Sequence, residues 1–232
     1  LGEIVRRTAD RGGKLLIPAF SLGRTQTVVY FLHQLMREGK LKQIPVYVDS
    51  PLSSAATEVF RLHPECFDEE TLDLMEHQPD LFGGEKIRYI RDVEESKRLH
   101  RMPGPMIIIA ASGMCEAGRI LHHLKNNIED PRTTVFIVGY QAPDTLGRRL
   151  AERQPEVRLL DRRFQLRAEV ITLNGFSAHA DHEDLIEYIQ PLQGTTRKIR
   201  LVHGEPEGAE ALAQALRDNG FDDVAVPDRG ES

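Results

Sequence analysis

Met106-Ile107-Ile108-Ile109-Ala110-Ala111 is the stretch on which the fold turns. Six consecutive apolar residues do not alternate in from out, as a half-exposed strand would. Such a run suits a strand covered on both faces, at the centre of a parallel sheet. Ser112-Gly113-Met114 follows, and then a helical pattern near residues 117–126. The same arrangement recurs on either side of it. Lys14–Pro18 (KLLIP) reads as a buried strand, followed by the loop AFSLG and a helix from about Arg24 to Arg37 with Val28, Phe31, Leu32 and Leu35 on one face. Pro45–Val48 is the next strand, after which Ser50 can cap and Pro51 can open a helix toward Leu62. Residues 64–104 are less regular, with two or three helical pieces and a strand near Ile87–Ile90. Thr133–Tyr140 and a helix over Thr145–Arg153 complete the series. Alternation of this kind predicts an α/β fold, a parallel sheet with helices on its faces.

After about Arg163 the rhythm changes. Strands are expected at Ala168–Leu173, Lys198–Val202 and Val224–Val226, with helices over Asp181–Gln190 and Glu207–Asn219. Three strands and two helices are too little to bury a good core alone. The arginine-rich stretch 154–167 is the candidate linker, and no fixed-period repeat or low-complexity segment is present.

The chain has 232 residues, 40% hydrophobic and 28% charged, as ordinary globular proteins do. No run of eighteen apolar residues suggests a membrane span, and the first residues lack the pattern of a secretory leader. A first residue of Leu rather than Met suggests a fragment or a processed chain. Cys66 and Cys115 form no CxxC spacing and read as reduced thiols of a cytoplasmic protein, a lone disulfide being the alternative. A net charge of −6 argues against holding nucleic acid by bulk electrostatics alone. Seven arginines between Arg148 and Glu169 face four acids, and the run reads first as a solvated face.

Ligands of open α/β sheets bind beyond the carboxyl ends of the strands. The polar and glycine-bearing peptides AFSLGR, DSPLSS, ASGMCEAGR, GYQAPDTLGR, FSAHAD and VHGEPE all fall there. Three Gly-Arg pairs (Gly23-Arg24, Gly118-Arg119, Gly147-Arg148) stand where helices begin. An arginine opposes the dipole there unless an anion is held with the free backbone N–H groups; the alternative is that it points sideways to a carboxylate or solvent. Phe176-Ser177-Ala178-His179-Ala180-Asp181 and Leu201-Val202-His203-Gly204-Glu205 carry the sharper signal. One helix joins the two preceding strands, so they are expected to be parallel and to bring His179 and His203 to one sheet edge. Imidazole is both a zinc ligand and an acid/base near neutrality. Two histidines do not make a zinc site, and Asp181, His182 and Glu205 lack convincing ligand spacing. His182 is expected to open a helix on its exposed side. His122-His123, adjacent on a helix, point about 100° apart and read as structural or surface residues, not a second metal cluster with Cys115.

Across essentially the whole chain, these residues resemble the metallo-β-lactamase-fold RNA nucleases with a β-CASP domain, a family that includes the mRNA 3′-end processing endonucleases and, more distantly, ribonuclease J. GGKLLIPAFSLGRTQ, YVDSPLSS, ASGMCEAGRILHHL, FSAHAD and LVHGE stand in the family's order and approximate spacing. The resemblance implies that residues 1–165 form most of a β-CASP domain. It implies that residues 166–232 form the C-terminal part of the metallo-β-lactamase αββα sandwich. It makes His179 the candidate general acid beside the scissile phosphate and His203 a zinc ligand. Ser177 would help hold the phosphate, and Ser112 and Arg24 would line the RNA path. The family uses two zinc ions to activate water for attack on a phosphodiester. Its HxHxDH motif does not occur in this chain, nor does its acidic motif, for which Glu3 lacks the context. The expectation is therefore a chain that binds zinc poorly and does not cleave RNA alone, with the N-terminal metallo-β-lactamase half as its missing partner. An uncovered apolar surface near residues 168–203 would favour self-association. Two other readings stand beside this one: a non-catalytic RNA-binding or scaffold module of the same family, and an unrelated phosphate-binding α/β protein.

Overall fold

The computed structural model describes residues 1–77, 80–173, 175–176, 179–228 and 230. They form two compact units, Leu1–Ser177 and Ala178–Ser232.

The first unit is built on a six-stranded sheet, parallel throughout. In chain order its elements are α1 (Gly2–Asp10), β1 (Lys14–Pro18), α2 (Arg24–Arg37), β2 (Val46–Val48), α3 (Pro51–Leu62), α4 (Glu69–His77) and β3 (Ile87–Tyr89). They continue with α5 (Val93–Arg101), β4 (Met106–Ala110), α6 (Arg119–Asn127), β5 (Thr134–Ile137), α7 (Leu146–Ala151), β6 (Glu156–Leu159), β7 (Arg162–Gln165) and β8 (Glu169–Thr172). The strand order is β3-β2-β4-β1-β5-β8.

The apolar run 106–110 is a central strand, paired with β1 on one side and β2 on the other. Its residues divide between two cores. Ile107 and Ile109 pack with Leu15, Ile17, Val28, Val29 and Leu32 on one face. Met106, Ile108 and Ala110 pack with Leu16, Ile120, Leu124 and Ile137 on the other. Burial on both faces is why the run has no polar member.

The stretch expected to be a linker is folded. Residues 156–165 form an antiparallel hairpin in which Val157 and Leu159 are buried, while Arg158, Arg162 and Arg163 are exposed. Alternation of apolar and basic residues is the strand pattern there, hidden in the sequence by the density of arginine. Helix α1 was likewise not foreseen, because only Val5 and Thr8 of it are buried. The two compact units divide at 177/178, so the boundary expected at 165/166 between the two family parts falls inside the first unit. Glu169–Thr172 pairs with β5 at four positions and belongs to the first unit's sheet.

The second unit holds α8 (His182–Ile189), β9 (Ile199–Arg200), α9 (Pro206–Asp218) and β10 (Val224–Ala225), with β9 and β10 parallel. Its core is small: Ile199, Ala213, Leu216, Phe221 and Val224. Tyr188, Leu192 and Val202 are exposed, as expected of a block too short to cover its own apolar surface. No helix among the described residues is long and apolar enough to cross a membrane.

Candidate functional site

Because all six strands of the first unit are parallel, the loops after β1, β2, β4, β5 and β8 leave by one edge of the sheet. Their interlocking explains most of the glycines and polar residues singled out by sequence. Ala19 N–H donates to Ala110 O (3.1 Å), extending the β1–β4 ladder into the loops. The Ser21 and Ser50 hydroxyls lie 3.3 Å apart, joining the β1 and β2 loops. Gly113 lies under Phe20: a Cβ there would stand 2.9 Å from the ring.

Arg24 is the first residue of α2, after Gly23 at φ 76°. Two of the backbone N–H groups expected to be free for an anion are taken: Arg24 N–H donates to Leu22 O (3.0 Å) and Thr25 N–H to Phe20 O (3.2 Å). The guanidinium is the charged group of this turn. It is half-buried and, among the described residues, has no carboxylate or carbonyl partner; burial alone pulls its pKa below the usual arginine value. An unpaired, partly desolvated cation is costly to keep.

The other two Gly-Arg pairs do other work. Arg119 turns sideways, donating to the Asp49 carboxylate (2.7 Å) and to Ile90 O and Arg91 O. Gly118, at φ 79°, is needed because a Cβ would lie 2.4 Å from Ala111 O. In α7 the first turn is fully taken: Leu146 N–H donates to Glu116, Gly147 N–H to Met114 O, and Arg148 N–H to the capping Thr145 hydroxyl. Arg148 pairs with Glu152 at 2.7 Å. The anion reading of these two helix starts is thus replaced by carboxylate and loop contacts.

Ser112 follows β4 and is half-buried. Its Oγ accepts from Glu116 N–H (3.0 Å) and Ala117 N–H (3.2 Å), which shapes the turn and leaves its own proton to donate outward. Ser112 and Arg24 therefore stand on adjacent loops at one sheet edge. Ser177 lies outside the described residues.

The two histidines are not brought together by the route expected. β8 is an edge strand of the six-stranded sheet, whereas β9 pairs with β10 in the second unit. A helix joins the strands, yet no sheet contains both. His179 and His203 are both exposed residues of the second unit, and His203 has φ 68°. Asp181 is the N-cap of α8, accepting from Glu183 and Asp184 N–H, and His182 opens the helix on its exposed side.

Sequence reading missed Asp49. It follows β2, is fully buried, and accepts from the Ser96 hydroxyl (2.6 Å), Arg119 (2.7 Å) and His123 Nε2 (2.6 Å). Burial alone would raise its pKa; the bonds from His123, Ser96 and Arg119 outweigh that and hold it below the ordinary carboxylate range. His123 is thus structural. Gln141 was missed too: buried after β5, its amide donates to Gly113 O, Gly139 O and Tyr140 O and so clasps the β4 and β5 loops.

A zinc site takes three or four protein donors. Among the described residues no group of three or more His, Cys, Asp or Glu side chains is placed to hold a metal ion. Those residues do not make a zinc site by themselves, His203 offering at most one donor.

Comparisons with known proteins agree with this architecture. A family model described as "Beta-Casp domain" matches residues 25–150, and one described as "Zn-dependent metallo-hydrolase RNA specificity domain" matches residues 163–227. The chain is 39% identical over 214 residues to "Ribonuclease TTHA0252" of Thermus thermophilus, covering 92% of this chain and 48% of that protein. It is 31% identical over 222 residues to "Transcription termination factor FttA" of Methanosarcina mazei, covering 93% and 35%. Over 214 residues it is 31% identical to an "RNase J-like protein" of Methanocaldococcus jannaschii, covering 92% and 48%. The chain thus spans about half the length of the first and third of these relatives and about a third of the second. With the Beta-Casp model matched over more than half of the chain and the parallel sheet in place, this chain belongs to the Beta-Casp domain family.

Proposed function

We propose that this chain works within a zinc-dependent ribonuclease that hydrolyses RNA phosphodiester bonds in RNA processing or decay. The observation that carries the reading is Arg24: a half-buried guanidinium with no partner among the described residues, at the sheet edge where α/β proteins bind ligands. Guanidinium is the side chain best suited to a phosphate oxygen pair. Arg24 holds a backbone phosphate, and Ser112 donates its hydroxyl to the same or the next one. Ser177 completes the phosphate contacts. His179 donates a proton to the leaving oxygen as the P–O bond breaks. His203 is one ligand of a two-zinc centre whose other donors are not among the described residues. Residues 1–165 supply the β-CASP part and 166–232 the end of the metallo-β-lactamase part. The reduced Cys66 and Cys115 suit the cytoplasm.

The test is RNA binding by this chain, followed by fluorescence anisotropy with a short single-stranded oligonucleotide over a range of salt. Arg24→Ala should weaken binding about tenfold and lower the salt slope by about one, with Arg24→Lys between. Because the cation lacks a partner among the described residues, Arg24→Leu should also raise thermal stability while weakening RNA binding. Unchanged affinity and salt slope in Arg24→Ala would remove the basis of the proposal. Zinc alone should bind weakly, and RNA hydrolysis by this chain with zinc, lost in His203→Ala, would overturn the incomplete donor set.

A second reading, a non-catalytic RNA-binding module, is favoured by the same shortage of metal donors. It predicts the same Arg24 dependence but no effect of His179→Ala on cleavage once a complete enzyme is assembled around this sequence.

A further inference from the structure

Beside the first two turns of α2 lies a pocket of about 310 Å³, not lined by Arg24, that the proposed function does not use. Five aromatic rings wall it, from α2, α3 and the loops on either side of α4. Tyr30 and Phe31 come from α2 and meet edge to face, 5.3 Å between centroids. Phe60 of α3 meets Phe82 at 5.8 Å, also edge to face, and Phe67 leans on Phe82 at 6.2 Å. The volume is at the lower end for small-ligand sites, enough for one long side chain.

The polar groups of the pocket face one way chemically. Gln26 lines it and is buried; its amide nitrogen is spent on Ser21 O, Ser53 O and the Thr57 hydroxyl, and its carbonyl oxygen has no hydrogen-bond partner. Asp68 stands exposed on the lining, and its carboxylate is held below the ordinary range by the bond from Thr71. Lysine, arginine and histidine are absent from the lining. Arg61, next to Phe60 in sequence, is committed elsewhere, bonded to Asp80 and Glu58 above the Tyr89 ring.

Aromatic faces, a carboxylate and an orphaned carbonyl oxygen together select a cation that carries N–H donors. An apolar side chain would leave the Gln26 oxygen unsatisfied. A nucleobase would draw its phosphate past Asp68 with no cation to meet it. We propose that this pocket binds an organic cation of the alkyl-guanidinium or alkyl-ammonium class, its N–H groups reaching the Gln26 oxygen and its charge resting on the rings. Two sources share that chemistry, an arginine or lysine side chain of a partner protein and a free polyamine.

The experiment is titration of the isotopically labelled chain by NMR, reading the phenylalanine ring signals. The probes are N-acetyl-arginine amide, N-acetyl-lysine amide, spermidine, N-acetyl-leucine amide and adenosine monophosphate. Saturable shifts centred on Phe31, Phe60 and Phe67 are expected with a cation and not with the last two probes. Preference for the amides assigns the pocket to a partner's side chain, and preference for spermidine to a polyamine. Phe67→Leu and Asp68→Asn keep an apolar residue and the helix cap respectively, and each should lower cation affinity about fivefold. Saturation by leucine amide or adenosine monophosphate instead, no saturation by any cation, or cation affinity unmoved in both variants would each overturn the assignment. None of these outcomes touches Arg24, so the pocket stands or falls apart from the ribonuclease reading.

Discussion

Replacing Asp49 by Asn changes one oxygen for an NH2 group at a buried carboxylate that accepts from three side chains. The wild-type carboxylate is fully buried and accepts from Ser96, Arg119 and His123 at 2.6–2.7 Å. Hydrogen bonds to a charged group are worth about 1.5–3 kcal/mol each, and removing one partner of a buried ion pair costs about 3–5 kcal/mol. Asn keeps one acceptor oxygen but turns a donor toward another donor, while Arg119 retains its bonds to Ile90 O and Arg91 O. The loss should therefore fall near the bottom of the ion-pair range, about 3 kcal/mol. In a domain of this size that lowers Tm by roughly 6–12 °C. Asp49→Ala, which leaves all three donors bare, should cost about 5 kcal/mol. The pH dependence has a definite sign. The folded pKa of Asp49 lies below its unfolded value, so the wild-type advantage is complete above the ordinary carboxylate range. It disappears only as pH falls through the lowered folded value. The assay is a set of thermal and urea melts between pH 5 and 8, with amide exchange of Ile107–Ile109 reporting on the central strand. A loss under 1 kcal/mol at pH 7 would refute the reasoning.

Four further substitutions or probes bear on other parts of the molecule. Gly147→Ala would put a methyl 1.6 Å from Gln141 Oε1 and 3.0 Å from Met114 O, and should cost about 2–3 kcal/mol in melts. Gly139→Ala, with nothing within 4 Å of the new carbon, should cost under about 1 kcal/mol; equal effects would count against the clasp. His100 is pushed down to about 4 from 6.5, chiefly by burial, so its unfolded form takes up the proton first and stability falls as pH drops from 6.5 toward 4. His100→Leu should flatten that slope, and an unchanged slope would show that other groups set it. Burial pushes the Cys115 thiol up to about 12, whereas Cys66 is exposed. Alkylation at pH 8 should therefore modify Cys66 quickly and Cys115 only on unfolding, and two equally fast thiols by mass spectrometry would contradict the placement.

Much of the first unit was legible because its strands are apolar on both sides and its helices carry plain signals. α2 has the bounds expected, Arg24–Arg37, and Ser50 caps α3 by accepting from Ser53 N–H with Pro51 in the first turn. The hairpin 156–165 was hidden because a strand with one wet face looks like a charge run when that face is arginine. Pairing of β8 with β5 could not be read locally: a strand's own residues do not say which sheet it joins. The inference that linked His179 to His203 failed on that point. Asp49 escaped notice because an aspartate before Ser-Pro reads as part of a turn, and its partners lie 47 to 74 positions away in sequence. The Gly-Arg pairs left an anion contact and a sideways carboxylate contact open, and the second holds at Arg119 and Arg148. One composition served three purposes, and only neighbouring atoms distinguish them.

The Gln141 clasp bears on how this family can vary. One amide nitrogen gathers three carbonyls from two loops, and the space beside its oxygen exists only because position 147 has no side chain. Positions 141 and 147 therefore cannot drift independently. A lineage that shortens residue 141 becomes free to place a methyl at 147 but must find another donor for the loop carbonyls. One that keeps the glutamine is bound to the glycine. Paired change at these two sites, with few lone substitutions at either, is the expected evolutionary trace of that contact.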